Sequence, residues 1–199
     1  MKAERRKQVL CYTVLLVVLV GIVCACGSDS QEEATAQASK EQEEEMVTAL
    51  AAVCEGNAAP AAAAYSPAAG TRPTVVLRGQ PGSAWRMDTS YTHADWRPQA
   101  LQDVQLVACL QNEATLVETC PYTLENGRSA SIERYQYLTI VRLYEARTGD
   151  PVAEMSWPGT EPAPCSGETT FKEGEFVKKL YGVAVGARQV GDWLQAYVE

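Results

Sequence analysis

His93 is the residue on which most hydrolytic chemistry would have to depend, because the chain contains only one histidine. Asp95 stands two positions later, and Ser83 or Ser90 could serve as the nucleophile. A serine hydrolase needs a histidine that accepts the serine proton and a carboxylate that orients the histidine. Neither serine stands in a G-x-S-x-G sequence. We therefore expect His93 to be a surface residue of a polar loop.

Pairs of carboxylates offer a second route to catalysis, since two acidic side chains can hydrolyse a glycosidic bond. Asp88, Asp95, Glu118 and Glu154 are candidates, but any acidic chain supplies such pairs. The sequence has no phosphate-binding glycine motif and no C-x-x-C pair. We therefore predict no cofactor, no bound metal and no catalysis, with an envelope hydrolase as the alternative.

Four cysteines lie beyond the first 26 residues: Cys54, Cys109, Cys120 and Cys165. An even number of cysteines in an exported chain predicts disulfides, and with a single histidine a metal site is disfavoured. Four cysteines allow three pairings. Strands are expected over Asp103 to Leu110 and Leu116 to Tyr122. A hairpin turn centred on Ala114-Thr115 would place Cys109 opposite Cys120, which would leave Cys54 to pair with Cys165.

The stretch from Ser131 to Glu145 is the strongest strand signal, because it is rich in Tyr, Ile, Val and Thr. Side chains of a strand alternate between its two faces. Arg134, Gln136, Arg142 and Tyr144 fall on the even-numbered face, and Arg and Tyr are enriched in interfaces. This face is therefore the predicted binding surface, and a half-solvated sheet face is the alternative.

The first 26 residues have the pattern of a signal sequence. A basic cluster between Lys2 and Lys7 precedes an uncharged, mostly apolar run from Val9 to Cys26. The basic end stays on the cytoplasmic side of the membrane, so the rest of the chain is expected to be exported.

The end of this run, Val23-Cys24-Ala25-Cys26, resembles the lipobox of bacterial lipoproteins. The resemblance implies that Cys26 is lipid-modified. The run is also close to the roughly 17–25 residues that span a bilayer, and Val23 and Ala25 suit ordinary cleavage. A lipoprotein, an uncleaved single-pass anchor and a secreted protein are therefore all open. The first two would hold the chain by its N-terminus on the outer face of the membrane.

Residues 27–70 have the composition of a tether, first glutamate-rich and then rich in Ala and Pro. Within it, Gln42 to Cys54 lacks Gly and Pro and could form a helix. A compact domain is expected over residues 71–199. The chain has a net charge of −8, and without the segment Met1 to Gln8 it has 13 basic and 24 acidic residues, which is −11. We therefore exclude nucleic acid as a partner and expect the membrane and an envelope protein.

The expected domain is α+β. Thr74 to Arg78 is a short β-branched run, and Ser131 to Glu145 is expected to pair with Pro151 to Trp157 in a hairpin. A further strand is expected within Phe176 to Val185. Four apolar residues, Val190, Trp193, Leu194 and Tyr197, share one helical stripe. These elements predict a mainly antiparallel sheet of four to six strands with a C-terminal helix on one face.

The pieces LVAC, ETCPY, RYQY and PAPC, with the closing D-W-L helix, resemble a set of uncharacterised exported bacterial proteins. The resemblance covers about Asp103 to Glu199 and implies no activity. The sequence therefore predicts a non-catalytic binding or assembly module tethered outside the membrane. An envelope hydrolase and the sensor subunit of a two-protein receptor are the alternatives.

Overall fold

A computed structural model describes residues 28–68 and 70–199, with side chains described from residue 36. The predicted signal sequence, including Cys26, lies outside the described residues. The chain divides into two compact units, Met1–Glu45 and Met46–Glu199. No helix among the described residues combines the length and the apolar character that crossing a membrane requires.

Two helices and six strands make up the regular structure of the described residues. Helix α1 spans Ser28–Cys54 and helix α2 spans Ala187–Val198. The strands are β1 Thr74–Arg78, β2 Arg86–Met87, β3 Leu106–Thr123, β4 Ser129–Glu145, β5 Pro151–Pro158 and β6 Val177–Tyr181. Three short 3-10 helices lie between β2 and β3.

The six strands form one mixed sheet in the order β2-β1-β3-β4-β5, and β6 also pairs with β4. The pairs β1–β3 and β4–β6 are parallel, whereas β1–β2, β3–β4 and β4–β5 are antiparallel. The predicted α+β class and the C-terminal helix are confirmed. The sheet is mixed, because two short parallel ladders accompany the antiparallel ones, and the two longest ladders are antiparallel. Parallel pairing requires a long crossover connection, and residues 79–105 provide one between β1 and β3.

Strand β3 is continuous, so the hairpin turn predicted at Ala114-Thr115 is wrong. Its ladder with β4 runs from Leu106↔Glu145 to Thr123↔Ser129, with a bulge between Leu116 and Glu118. The turn lies beyond the strand, where the Leu124 amide donates to the Arg128 carbonyl at 2.8 Å. Residues 113–119 are exposed, and their polar side chains gave this part of the strand the composition of a turn.

The disulfides join Cys54 to Cys109 and Cys120 to Cys165, with Cα atoms 5.6 and 6.4 Å apart. All four cysteines are therefore bonded, as predicted, but the expected pairs Cys109–Cys120 and Cys54–Cys165 are wrong. Cys109 and Cys120 lie on the same strand, and eleven residues of extended chain separate them by about 36 Å. No bond between them is possible while β3 is intact.

The second half of α1 covers one face of the sheet. Met46, Leu50 and Val53 are buried against strand residues that include Leu77 and Val107. The Cys54–Cys109 disulfide links the end of the helix to β3 on the same face. The first unit consists, as far as its side chains are described, of exposed helix over residues 36–45.

Helix α2 packs on the opposite face of the sheet. Its residues Val190, Leu194 and Val198 are fully buried with strand residues such as Val141 and Leu143. Trp193 and Tyr197, which complete the predicted stripe, are half-buried at the edge of this cluster. The predicted periodicity of this helix therefore describes its contacts correctly.

The second compact unit begins at Met46 and therefore includes residues 46–68, which precede the domain expected over residues 71–199. The Ala59 amide donates to the Ala146 carbonyl at 3.1 Å. The buried guanidinium of Arg72 donates to the carbonyls of Ser66, Pro67 and Ala68, and to that of Tyr197 at the end of α2. Small side chains let this Ala- and Pro-rich segment lie close to the sheet, although its composition is typical of a tether.

Candidate functional site

His93 lies on an exposed loop and takes no part in a catalytic arrangement among the described residues. Its ring contacts Trp96 edge-on at 4.7 Å, and Asp95 is exposed beside it. The Ser90 hydroxyl donates to Asp88 at 2.6 Å, and the Ser83 hydroxyl donates to the Gln80 carbonyl at 2.9 Å. The structure therefore brings neither predicted serine into a hydrogen bond with His93.

The predicted binding surface on the even-numbered face of β4 is largely occupied by the chain itself. Arg134 donates to the carbonyls of Pro162 and Ala163 at 2.6 and 2.8 Å, and it forms an ion pair with Glu118. Gln136 donates to the Gly159 carbonyl at 2.9 Å. These two side chains hold residues 159–163 over the face.

The other two predicted residues also have partners within the chain. The Arg142 guanidinium lies 3.1 Å from a Glu154 carboxylate oxygen. Tyr144 packs against the buried cluster beneath α1. Binding by these residues stays a prediction, while their observed contacts stabilise the fold.

One group of potential metal ligands, Glu118, Cys120 and Cys165, has its ligand atoms within 4.8 Å of one another. The two sulfur atoms are bonded to each other. A metal ion requires deprotonated thiols as ligands, so this group is not a metal centre in the oxidised protein.

The face of the sheet on which α2 packs is only half-buried beyond Val141 and Leu143 of β4. Tyr135 and Tyr137 of β4 lie there, together with Tyr181 at the end of β6. The Tyr181 ring stacks on those of Tyr135 and Tyr137, with centroids 5.1 and 5.6 Å apart and planes inclined by 20° and 21°. We call these three residues the tyrosine cluster. Tyr181 is 47% exposed, so the cluster presents aromatic surface to solvent.

A cavity of about 920 Å³ separates the tyrosine cluster from the β1–β2 hairpin. Tyr137 and Tyr181 line one part of it, and the hairpin lines another. We call this cavity the tyrosine–arginine groove. The residues that determine its chemistry are Arg78, Arg86, Asp88, Asn112, Tyr137 and Tyr181.

Two arginines face each other at the hairpin side of the groove. Arg78 and Arg86 are directly opposite in the antiparallel β1–β2 ladder, a position in which like charges destabilise a sheet. Arg78 lies 3.6 Å from an Asp88 carboxylate oxygen. Arg86 is exposed and forms no ion pair with any acidic residue that the structure describes. The carboxylate of Asp88 thus pairs with one of the two guanidinium groups and not with the other, in a chain whose net charge is −8.

Asn112 of β3 is fixed at the floor of the groove. The Thr139 hydroxyl donates to its Oδ1 atom at 2.7 Å, and the Gln80 side-chain amide donates to its carbonyl at 3.0 Å. Its Nδ2 group forms no hydrogen bond within the described residues. An oriented amide donor therefore accompanies the guanidinium groups.

Two tyrosines near the groove have a pKa above the ordinary value of a phenol. The Tyr135 hydroxyl donates to Glu133 at 2.6 Å, and this hydrogen bond is the main cause of its raised pKa. Burial raises the pKa of Tyr91, and the nearby Asp88 carboxylate adds to the effect. Neither phenol therefore adds negative charge near the groove at neutral pH, and the positively charged residues that line the groove are Arg78 and Arg86.

A second cavity of about 630 Å³ lies at the tip of the β3–β4 hairpin. The Arg128 guanidinium lies 4.0 Å from the Phe176 ring centroid, and Tyr122 contacts Phe171 edge-on at 5.7 Å. Since these groups are engaged with each other, the cavity offers fewer groups for a ligand than the tyrosine–arginine groove.

The sequence analysis missed the groove because it sought the binding surface on the even-numbered face of β4, which leaves the odd-numbered face for the core. That assignment holds for Val141 and Leu143 under α2 but not for Tyr135 and Tyr137. The sequence analysis also assigned no functional role to the segment Gly79-Gln80-Pro81-Gly82, which lies between β1 and β2. Had it been interpreted as part of a hairpin connection, Arg78 and Arg86 would have been recognised as cross-strand neighbours.

No known protein family, characterised protein or solved structure matches the chain. The predicted resemblance to exported bacterial proteins stays a prediction. Function is therefore inferred from the chemistry of the groove and from the oxidising environment that the two disulfides require.

Proposed function

We propose that this chain is a non-catalytic binding module that acts outside the cell membrane, where its N-terminus holds it. The tyrosine–arginine groove is the observation that carries the proposal. It combines exposed aromatic surface, an oriented amide and a guanidinium without an ion-pair partner among the described residues. A ligand could stack on the exposed ring, accept hydrogen bonds from the amide and form an ion pair with the guanidinium.

The two disulfides support an extracytoplasmic location. Disulfides persist in oxidising compartments and are rare in the cytosol. They join α1 to β3 and β3 to the segment before β6. Both disulfides are thus attached to β3, the strand that carries Asn112 in the groove.

The rigid position of the groove favours binding by a preformed site. Its arginines and Asn112 lie on paired strands of the sheet. Gly182, the residue after Tyr181, lies in close contact with Thr160. A Cβ atom at position 182 would clash with the Thr160 carbonyl, so only glycine allows this segment to lie where it does. A ligand would therefore meet groups whose positions are already determined.

Neither alternative function has a comparable observation in its favour. A hydrolase would depend on His93, which is exposed and lines neither of the two cavities described above. It could otherwise use two of the candidate carboxylates Asp88, Asp95, Glu118 and Glu154, of which only Asp88 lines either cavity. A sensor subunit would use the same groove for its ligand, so it is a special case of the proposed binding function.

Thermal unfolding of the full-length protein in detergent tests the proposal. The probes are neutral oligosaccharides, acidic oligosaccharides, inorganic phosphate, and acidic and basic peptides. At about 100 times its dissociation constant, a ligand stabilises the native state by about 2.7 kcal/mol. For a chain of this size we expect one class of probe to raise Tm by roughly 5–10 °C, and the probe to be recovered chemically unchanged.

The matched variants are the double substitution Arg86→Gln with Tyr181→Ala, and Arg147→Gln as the control. Arg147 is an exposed arginine of the β4–β5 turn. The groove variant should lose the shift in Tm, and the control should keep it. The absence of a shift with every probe, an equal shift in the groove variant, or chemical conversion of the probe would contradict the proposal.

A further inference from the structure

We infer that the tyrosine–arginine groove binds an acidic saccharide unit, with the sugar ring against the tyrosines and its carboxylate at Arg86 and Arg78. This inference rests on the proposed binding function and specifies the chemistry of the ligand.

The arginine pair argues for an anion. Arg78 and Arg86 repel each other across the β1–β2 ladder, and Asp88 contacts Arg78 only. A carboxylate between the two guanidinium groups would relieve this repulsion. It could also accept paired hydrogen bonds, because the planar guanidinium matches the two oxygens of a carboxylate.

The tyrosine cluster argues for a ligand with a flat, partly apolar surface. The three rings are nearly parallel, and about half of the Tyr181 side chain is open to solvent. The face of an aromatic ring carries partial negative charge. The C–H groups on one side of a pyranose ring carry partial positive charge and form a surface of similar size, so the two stack well.

The remaining groups of the groove suit hydroxyl-bearing ligands. Asn112 offers its Nδ2 donors, and the hydroxyl group of Ser83 lies at the same rim. A sugar hydroxyl both donates and accepts hydrogen bonds, so it can bind either group. An apolar ligand would leave the Asn112 Nδ2 group without a partner, and this is costly.

The charge of the whole chain separates a saccharide from nucleic acid. A protein that binds nucleic acid carries a basic stripe along its surface, whereas this chain is acidic and the groove has only two arginines. Inorganic phosphate would satisfy the arginines but would leave the tyrosine cluster unused. An acidic saccharide uses both halves of the groove.

Calorimetric titration of the full-length protein in detergent tests the inference. The probes are a galacturonic acid trisaccharide and the neutral galactose trisaccharide with the same linkage. We expect the acidic probe to bind at least about tenfold more tightly, since a hydrogen bond to a charged group is worth that much or more. Arg86→Gln should remove this advantage and leave the affinity for the neutral probe unchanged.

The aromatic contact has its own pair of variants. Tyr181→Ala should weaken the binding of both trisaccharides about tenfold, as loss of a stacking contact does elsewhere, and Tyr181→Phe should retain the affinity within about threefold. Arg147→Gln should bind both probes as the wild type does.

The outcomes distinguish the two proposals. Equal affinity for the two trisaccharides, or unchanged acidic binding in Arg86→Gln, overturns the inference. If inorganic phosphate or an acidic peptide binds with dependence on Arg86 while both saccharides do not, the ligand class is wrong and the binding module stands. If no probe binds in the groove, both proposals are wrong.

Discussion

Arg86 is the residue at which stability and binding are most clearly opposed. It lies opposite another arginine, and the structure describes no acidic partner for it. Cross-strand pairs of like charge cost a sheet several tenths of a kcal/mol, roughly 0.2–1. A protein that keeps such a pair on a two-residue strand sacrifices stability at this position, and a bound anion would compensate for the loss.

The substitution Arg86→Gln should therefore stabilise the ligand-free protein by roughly 0.2–1 kcal/mol. The gain should shrink as salt screens the repulsion between the two exposed charges. Denaturant midpoints measured at low and at high salt would show both effects.

Arg142→Gln is the control for this prediction, because the Arg142 guanidinium has Glu154 and Gln111 as partners. Removing it should leave the stability unchanged or lower it slightly. If Arg86→Gln lowered the stability at low salt as much as Arg142→Gln does, Arg86 would stabilise the fold. The proposed repulsion between Arg78 and Arg86 would then be wrong.

Helix α1 has the composition of a tether, yet its last turns are part of the folded core. Its mean hydropathy is low and its first described side chains are exposed, yet Leu50 and Val53 are fully buried. The last turns of the helix and its disulfide to Cys109 close one face of the sheet. The domain therefore depends on residues before position 71.

A matched pair of leucine substitutions tests the role of α1. Leu50→Ala should destabilise the protein by about 2–5 kcal/mol, because a fully buried leucine leaves a cavity. Leu116→Ala on β3 should cost much less, since this side chain is 48% exposed. Equal losses of unfolding free energy, measured by chemical denaturation, would show that residues 46–54 do not belong to the folded core.

The elements with strong periodicity could be predicted from the sequence. Strands β1, β4 and β5 lie where runs of β-branched, aromatic or alternating residues indicate them. Helix α2 lies where four apolar residues share one helical stripe. Strand β3 was divided in two because its middle is exposed at the sheet surface, where burial imposes no alternation. The pairing of the cysteines followed from that division and was wrong with it.

The groove could not be predicted, because it depends on which part of each face is covered. One face of β4 is apolar at Val141 and Leu143 and aromatic at Tyr135 and Tyr137, and α2 is long enough to cover only the first pair. On the other face, residues 159–163 cover Arg134 and Gln136. Loop and helix lengths decide these contacts, and neither appears in the alternation pattern of a single strand.

At the scale of the whole molecule, the compact unit Met46–Glu199 has three layers, with the end of α1 and α2 on opposite faces of a mixed sheet. Two disulfides cross-link these layers and the loop before β6. In the chain-entropy model, closing the loop between Cys54 and Cys109 stabilises the fold by about 4 kcal/mol. A protein of this design requires an oxidising environment to reach its full stability.

We propose that the folded domain lies outside the membrane and is held there by its N-terminus. The most direct test is the intact mass of the protein extracted from membranes under non-reducing conditions, followed by peptide mapping. We predict membrane-bound protein that either begins at a lipid-modified Cys26 or retains the whole N-terminal run, with Cys54–Cys109 and Cys120–Cys165 linked. Protein found in the soluble intracellular fraction with these four thiols free would contradict the account.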